Sequence, residues 1–332
     1  MLYITTRNSA DTYTAHQTLR CNFGVDGGMF VPFRLPRIST EALLQMGKNS
    51  VNESVAQVLN MFFPGKLTAA DVDACLSADA TKLVPMSHKI VLAELWHNDR
   101  YDVASSVNAL TSRILSADAV DTSTDWAHIC CRIAFLFAIY GLLLSKGVTD
   151  GIRALDIAVC SGDFSTPMAA WYAREMGLPI GMIVCGCEES ADVWDILHRG
   201  ELHCTSNTPA GLERLVFGVF GQQEAVRFGK IRTTNGVYTS ANTAEDELGQ
   251  GMFAAVVSTK RMENVIRSVY RTNSCILSPR TAFAYGGLQD YRASRSESAP
   301  ALILAEHGPL RDGQTVADTL GITLHELKAK MH

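Results

Sequence analysis

The chain has no excess of positive charge. Its 29 Lys and Arg stand against 34 Asp and Glu, a formal net charge of −5. That excludes a broad basic footprint for nucleic acid. No apolar run reaches the roughly 20 residues of a membrane span. The longest, Ile133 to Leu144, follows Arg132 directly and predicts a buried helix, so no membrane association is expected. No charged segment followed by an apolar stretch opens the chain, which reads against a signal peptide. An even cysteine framework is also missing. The nine cysteines lie mostly inside apolar runs, where free thiols act as small hydrophobes; this predicts a reducing, cytoplasmic setting. Cys185, Cys187, His198, His203 and Cys204 match no standard zinc spacing, so no metal site is expected. There is no internal repeat.

What is present is an ordinary globular composition, 47% hydrophobic and 19% charged over 332 residues, enough for two domains or one large one. The most informative stretch is Leu155 to Gly186. Leu155 to Val159 reads as a strand and Ser161 to Thr166 as a small polar turn. Pro167 suits the first turn of a helix, Met168 to Met176 carries apolar residues at helical spacing, and Gly177 stops it. Ile180 to Val184 is the next strand. A polar loop entering a helix N-terminus aims backbone N–H groups at an anion, with the helix dipole adding positive potential. The alternative is an ordinary turn capped by Asp163 or Ser165.

The remaining pattern alternates strands and helices. Met1 to Thr5, Ile90 to Leu95 and Ala301 to Leu304 read as strands, with Asp26-Gly27-Gly28 as a tight turn running into an extended Met29-Phe30-Val31. Helices are predicted near Tyr13 to Leu19, over Ser50 to Phe63, from Thr68 to about Ala78, and over Tyr101 to Leu115, Trp126 to Leu144, Glu189 to Arg199, Leu212 to Phe220, Ser258 to Tyr270 and Ser278 to Tyr291. Thr323 to Glu326 is a capping box for a terminal helix. Gln222 to Gly251, rich in Gly, Asn and Thr, reads as a surface excursion, and Lys82 as part of a loop. The fold class is therefore α/β, a three-layer, mostly parallel sheet with helices on both faces.

Several blocks, taken in order, resemble threonine synthase, a pyridoxal-phosphate (PLP) enzyme of fold type II. Tyr3-Ile4-Thr5-Thr6-Arg7 resembles the family's Tyr-x-Ser-Thr-Arg, and Asp26 to Pro32 its Asp-Gly-Gly-Leu-Tyr-Val-Pro. Glu94-Leu95-Trp96-His97 resembles Glu-Leu-Phe-His, and the helix from Trp126 to Tyr140 its Asn-Ser-Ile-Asn helix. Ser161-Gly162-Asp163-Phe164-Ser165 resembles Ser/Thr-Gly-Asn-Phe-Gly, which holds the PLP phosphate in the family. Ala173 to Ile180 is close to the family's continuation of that helix, and Ser278-Pro279-Arg280-Thr281-Ala282 resembles Asp-Pro-His-Thr-Ala. The resemblance implies a threonine synthase-like region over residues 1–89 and a PLP-fold core over 90–332, with Ser161, Gly162, Asp163, Phe164, Ser165 and Thr166 as a degenerate phosphate loop.

The departures carry the functional expectation. The family's Schiff-base lysine follows its Glu-Leu-Phe-His, but here Asn98-Asp99-Arg100 follows His97 and no lysine occurs before Lys146. Arginine cannot replace it, because guanidinium stays protonated. Lys82 and Lys89 are the nearest amines. Residues 116–125 form a short connector where the family carries a substrate loop and much of its small lid domain. Ala305-Glu306-His307-Gly308 stands where the family's Thr-Ala-His-Pro gives a hydroxyl to the pyridine nitrogen. These losses imply a pseudoenzyme with no catalytic residues and no cofactor, acting as a scaffold or binding partner. The alternatives are a PLP-dependent threonine synthase or lyase-type enzyme of amino-acid metabolism, or a non-covalent binder of a phosphorylated metabolite. The loss of the lid predicts a homo-oligomer or hetero-complex. His97, Arg100 and His307 are left without assigned roles; Arg100 either binds an anion or pairs with Asp99 or Asp102.

Overall fold

The computed structural model describes residues 1–63, 65, 67–76, 81–86, 88–96, 103–115, 125–188, 192–240, 251–293, 295 and 299–331, and for 103–106 the backbone alone. In chain order the strands are β1 (Leu2–Thr5), β2 (Tyr13–Thr14), β3 (Phe30–Pro32), β4 (Lys82–Met86), β5 (Ile90–Glu94), β6 (Leu155–Cys160), β7 (Ile180–Cys187), β8 (Glu201–His203), β9 (Val237–Thr239), β10 (Met252–Val256) and β11 (Ala301–Ala305). The helices are α1 (Ala15–Thr18), α2 (Thr40–Met46), α3 (Val51–Phe62), α4 (Ala69–Cys75), α5 (Val103–Leu115), α6 (Asp125–Ser145), α7 (Ser165–Glu175), α8 (Asp192–Arg199), α9 (Leu212–Phe220), α10 (Gln222–Thr233), α11 (Thr259–Asn273), α12 (Pro279–Ala293), α13 (Gly313–Leu320) and α14 (Leu324–Met331), with a 3₁₀ turn at Pro309–Asp312.

The central sheet has the order β10-β7-β6-β11-β5-β4. All its neighbours are parallel except β4, which runs antiparallel to β5. Successive side chains of a strand point to opposite faces, and the core divides accordingly. Leu155, Ile157 and Val159 of β6 and Leu302 and Leu304 of β11 join α3, α6 and α7 on one face. Ala158, Ala301 and Ile303 join α11 and α12 on the other. The sheet is thus buried on both sides, as the expected three-layer α/β class requires.

Helix α12 approaches the sheet very closely. A Cβ on Gly186 of β7 would lie 2.1 Å from the Phe283 carbonyl oxygen, and one on Gly287 would lie 3.0 Å from the Gly186 Cα. Glycine at both positions allows the contact. The 21-residue α6 is long and apolar enough to cross a membrane, but 78% of its most apolar window is buried inside the protein.

The N-terminal segment is tied to the body by charge as well as by packing. Thr6 Oγ1 and the Arg7 guanidinium both donate to Glu213 of α9, which is fully buried. Gly229 of α10 leaves room for Arg7, since a Cβ there would lie 2.4 Å from its Nη2. Arg214, also fully buried, pairs with Asp125 and donates to the Phe30 carbonyl.

Two sequence expectations are corrected. Gln222 to Gly251 is not simply a surface excursion: Gln222–Thr233 is α10, and β9 pairs with β8. Lys82 lies in strand β4, not in a loop. Pro85 suits this assignment because β4 is an edge strand. Helices α2 and α13 were not expected. His97, Arg100, the 116–124 part of the connector and Glu189 lie outside the described residues.

Candidate functional site

A cavity of about 260 Å³ opens over the carboxyl ends of the neighbouring central strands β6 and β11. That is where open α/β sheets bind ligands. Val159 and Cys160 end β6, Leu304 lies near the end of β11, and the N-termini of α7 and α12 converge from the sides. Of the six predicted loop residues, Ser161, Gly162, Asp163 and Thr166 line it. Phe164 does not; it is fully buried in the core. Ser165 is also buried and contributes through Asp163. The loop turns sharply through two left-handed residues, Gly162 at φ +44° and Phe164 at φ +68°. For Phe164 that geometry is costly.

Within this cavity several donors are taken up by the protein's own carboxylates. The Asp163 carboxylate accepts from the Ser165 backbone N–H at 3.0 Å and from its hydroxyl at 2.6 Å. These bonds close a turn just before the α7 N-cap, which is Phe164 and makes no side-chain cap bond. Burial pushes the Asp163 carboxyl up, but Ser165 and Arg132 hold it below the usual carboxylate range. Glu306, just past β11, accepts from Arg132 Nε at 2.7 Å and from Nη2 at 3.3 Å. Thr166 Oγ1 lies 3.1 and 3.2 Å from the two oxygens of the same carboxylate. Burial again opposes ionisation, and Arg132 and Thr166 outweigh it, so the Glu306 carboxyl also lies below its ordinary value.

The other lining groups are mainly donors. Arg280 and Arg311 line the cavity beside Arg132. Arg311 Nη1 lies 2.7 Å from His307 Nδ1. Guanidinium can only donate, so Nδ1 accepts and the proton of the neutral ring sits on Nε2. Burial and then Arg311 hold His307 below the ordinary imidazole value. Burial pushes the Cys160 thiol up to about 12, which removes it as a nucleophile near neutral pH.

Comparison with known proteins shows what this chain is similar to. Residues 2–79 match the threonine synthase N-terminus family. Over 218 residues the chain is 26% identical to threonine synthase of Pseudomonas aeruginosa, covering 58% of this chain and 43% of that protein. Over 178 residues it is 24% identical to human threonine synthase-like 1, covering 49% of this chain and 24% of that protein. The alignments thus span less than half the length of these relatives. Among solved structures, PLP-bound threonine synthase from Brucella melitensis superposes with a TM-score of 0.85 at 17% identity, over 100% of this chain and 94% of that one. Yeast threonine synthase gives 0.80 at 15% identity, over 99% and 93%. The N-terminal quarter of the chain thus resembles the threonine synthase N-terminus, and the whole chain shares the fold of the solved threonine synthases. Its sheet and helices are the threonine synthase fold, PLP fold type II.

The residues present do not fit PLP anchored as a Schiff base. Among the described residues no lysine lines the cavity, and the sequence has none from 90 to 145. Lys89 sits in the β4–β5 turn at the amino end of β5, the opposite edge of the sheet. Lys82 does lie toward the cavity's edge, but its Nζ is 3.9 Å from Glu94 and it does not line the space. Ala305, at the position where the threonine synthase pattern has a hydroxyl, offers none. The predicted loop, Glu306 and His307 are brought together. Arg132, Arg280 and Arg311 were missed as site residues. The available signals were a charge heading the apolar run of α6 and an arginine in place of the family's histidine in the Ser-Pro-Arg-Thr-Ala block. Among the described residues no group of His, Cys, Asp and Glu could hold a metal. Cys185 and Cys187 are buried in β7, and His198 bonds the Ala254 carbonyl at 2.9 Å.

Proposed function

We propose that this chain is a threonine synthase-like pseudoenzyme that works by binding and not by PLP-dependent turnover. One observation carries the reading: the Arg132–Glu306–Thr166 cluster, with the Asp163–Ser165 turn beside it, engages donors around the predicted phosphate loop. A phosphate entering there meets two ionised carboxylates, and at a few ångströms like charges repel by several kcal/mol at an effective dielectric of about 20. Among the described residues no amine lines the cavity to offer a covalent anchor. Among the described residues that line the cavity none supplies the family's covalent chemistry, while the blocks that form the fold are retained.

The test is titration of the purified full chain with PLP. The expected outcome is no visible absorbance that borohydride bleaches and no lysine carrying a reduced pyridoxyl adduct by mass spectrometry. A stoichiometric adduct on one lysine overturns the proposal. Self-association or a hetero-complex accompanies this role, and sedimentation showing a lone monomer at micromolar concentration refutes that part alone.

A further inference from the structure

Trp171 of α7 and Phe217 of α9 form the floor of an apolar groove of about 870 Å³, and the chain leaving β3 forms its wall. The floor depends on Gly218. A Cβ there would lie 2.8 Å from Trp171 Cη2, so the indole occupies the space a side chain at 218 would take. The wall is pinned at both ends. The Phe33 N–H donates to the Leu2 carbonyl at 3.0 Å, and the Ile38 N–H donates to the Met176 carbonyl at 2.7 Å. A groove held this way needs little ordering when something binds. Apolar surface also continues past it. Leu2 and Phe33, chain neighbours of the lining Met1 and Pro32, are 53% and 63% exposed. Contiguous apolar surface left in water marks an interaction site.

The rim decides what the groove accepts. Arg34 and Arg37 line it, are exposed, and make no hydrogen bond or ion pair with any described residue. Glu175 is the carboxylate among the described lining residues, and Arg174 Nε already lies 3.6 Å from it. Two cations are therefore left without a counter-charge. A second copy of the chain would bring the same rim, four guanidiniums against two carboxylates, so charge opposes a two-fold docking here. A partner that supplies acids is favoured. Pro32 ends edge strand β3 and Pro36 follows, so this wall lacks two N–H donors and is a poor template for an added strand. Recognition falls to side chains, as when an amphipathic helix lies in a groove. Trp, Tyr and Arg are the side chains most enriched at the centres of such contacts.

We infer that this groove docks an acidic amphipathic helix of a partner protein, its apolar stripe on Trp171 and Phe217 and its carboxylates on Arg34 and Arg37. The groove shares no lining residue with the central cavity. The inference thus goes beyond the binding role proposed above, and the PLP titration and the test below fail separately.

The experiment titrates the full chain into a fluorescent helical peptide of about 15 residues, with leucines at i, i+3, i+4 and i+7 and glutamates on both flanks, and reads polarisation. A second peptide carries glutamine in place of every glutamate. The acidic peptide should bind about tenfold more tightly than the neutral one, and sodium chloride should close that gap. The double variant Arg34→Gln with Arg37→Gln should abolish the preference and leave the neutral peptide's affinity unchanged. Both arginines are exposed, so this variant should keep the parent melting temperature. Trp171→Ala should weaken both peptides alike. Arg271→Gln, on α11 across the sheet, should behave as the parent does. Equal affinity for the two peptides, a preference that survives the double variant, or no binding of either peptide overturns the inference. Self-association in sedimentation that Trp171→Ala abolishes assigns the groove to a second copy, and overturns it as well.

Discussion

The Arg132–Glu306 pair invites a direct energetic test. Both side chains are largely buried, at 12% and 13% exposure, so neither can be rehydrated cheaply if its partner is removed. Arg132→Met leaves the Glu306 carboxylate with Thr166 as its remaining hydrogen-bond partner from the cluster. Breaking a buried pair in this way costs about 3–5 kcal/mol. For a chain this long that is a fall in melting temperature of roughly 5–15 °C. The double variant Arg132→Met with Glu306→Leu removes both charges and should recover most of the loss, as buried pairs replaced by apolar side chains often do. The pH dependence has a defined sign. Glu306 has a lowered folded pKa, so its contribution is full above the unfolded value near ~4.3 and disappears as pH falls through the folded value. In Arg132→Met the stranded carboxyl takes up a proton more readily. The gap to the parent should therefore narrow between pH 7 and pH 4. Urea unfolding at both pH values measures it. A single variant within about 0.5 kcal/mol of the parent at pH 7, or a gap that ignores pH, refutes the argument that this pair is desolvated and coupled.

Two further substitutions test the fold around the site. Lys89 holds φ +59° next to His88, also at +59°, in the β4–β5 turn, and its carbonyl is fixed by the Ala301 N–H. Lys89→Gly should stabilise the protein by about 1 kcal/mol, read as a higher urea midpoint at unchanged slope, because glycine carries no Cβ penalty there. Gly186→Ala should destabilise it by about 3 kcal/mol or prevent soluble expression, since the added methyl meets the Phe283 backbone and neither β7 nor α12 can retreat.

Local chemistry was legible in the sequence and distant pairing was not. Ser50 and Thr68 cap their helices through boxes completed by Glu53 and Asp71, three residues on, so α3 and α4 announce themselves. Strand β6 and the turn into α7 were readable because apolar run, polar turn and helical spacing follow one another within some 20 residues. Helix α10 was hidden because its weakly amphipathic sequence runs into turn-rich residues after Thr233, and composition over the whole stretch masked it. Strand β4 was hidden by Pro85, which only an edge position tolerates. The turn over Ser161 to Thr166 was readable from its motif, but the side chains that gather around it were not. Arg132 and Glu306 are 174 positions apart, and no spacing rule links them. The usable warning was chemical: a charge at the head of an apolar helix must find a counter-charge once buried.

The ties of Thr6 and Arg7 to Glu213, and of Arg214 to Phe30 and Asp125, bear on how the molecule comes apart. If the first strands detach, two fully buried polar side chains on α9, Glu213 and Arg214, lose partners at once. Fraying from that end therefore starts with an electrostatic barrier as well as a hydrophobic one. Amide hydrogens in β1, β3 and α9 should accordingly exchange at a common rate set by global opening. A protease acting near the first 32 residues would find no stable nicked product to leave behind.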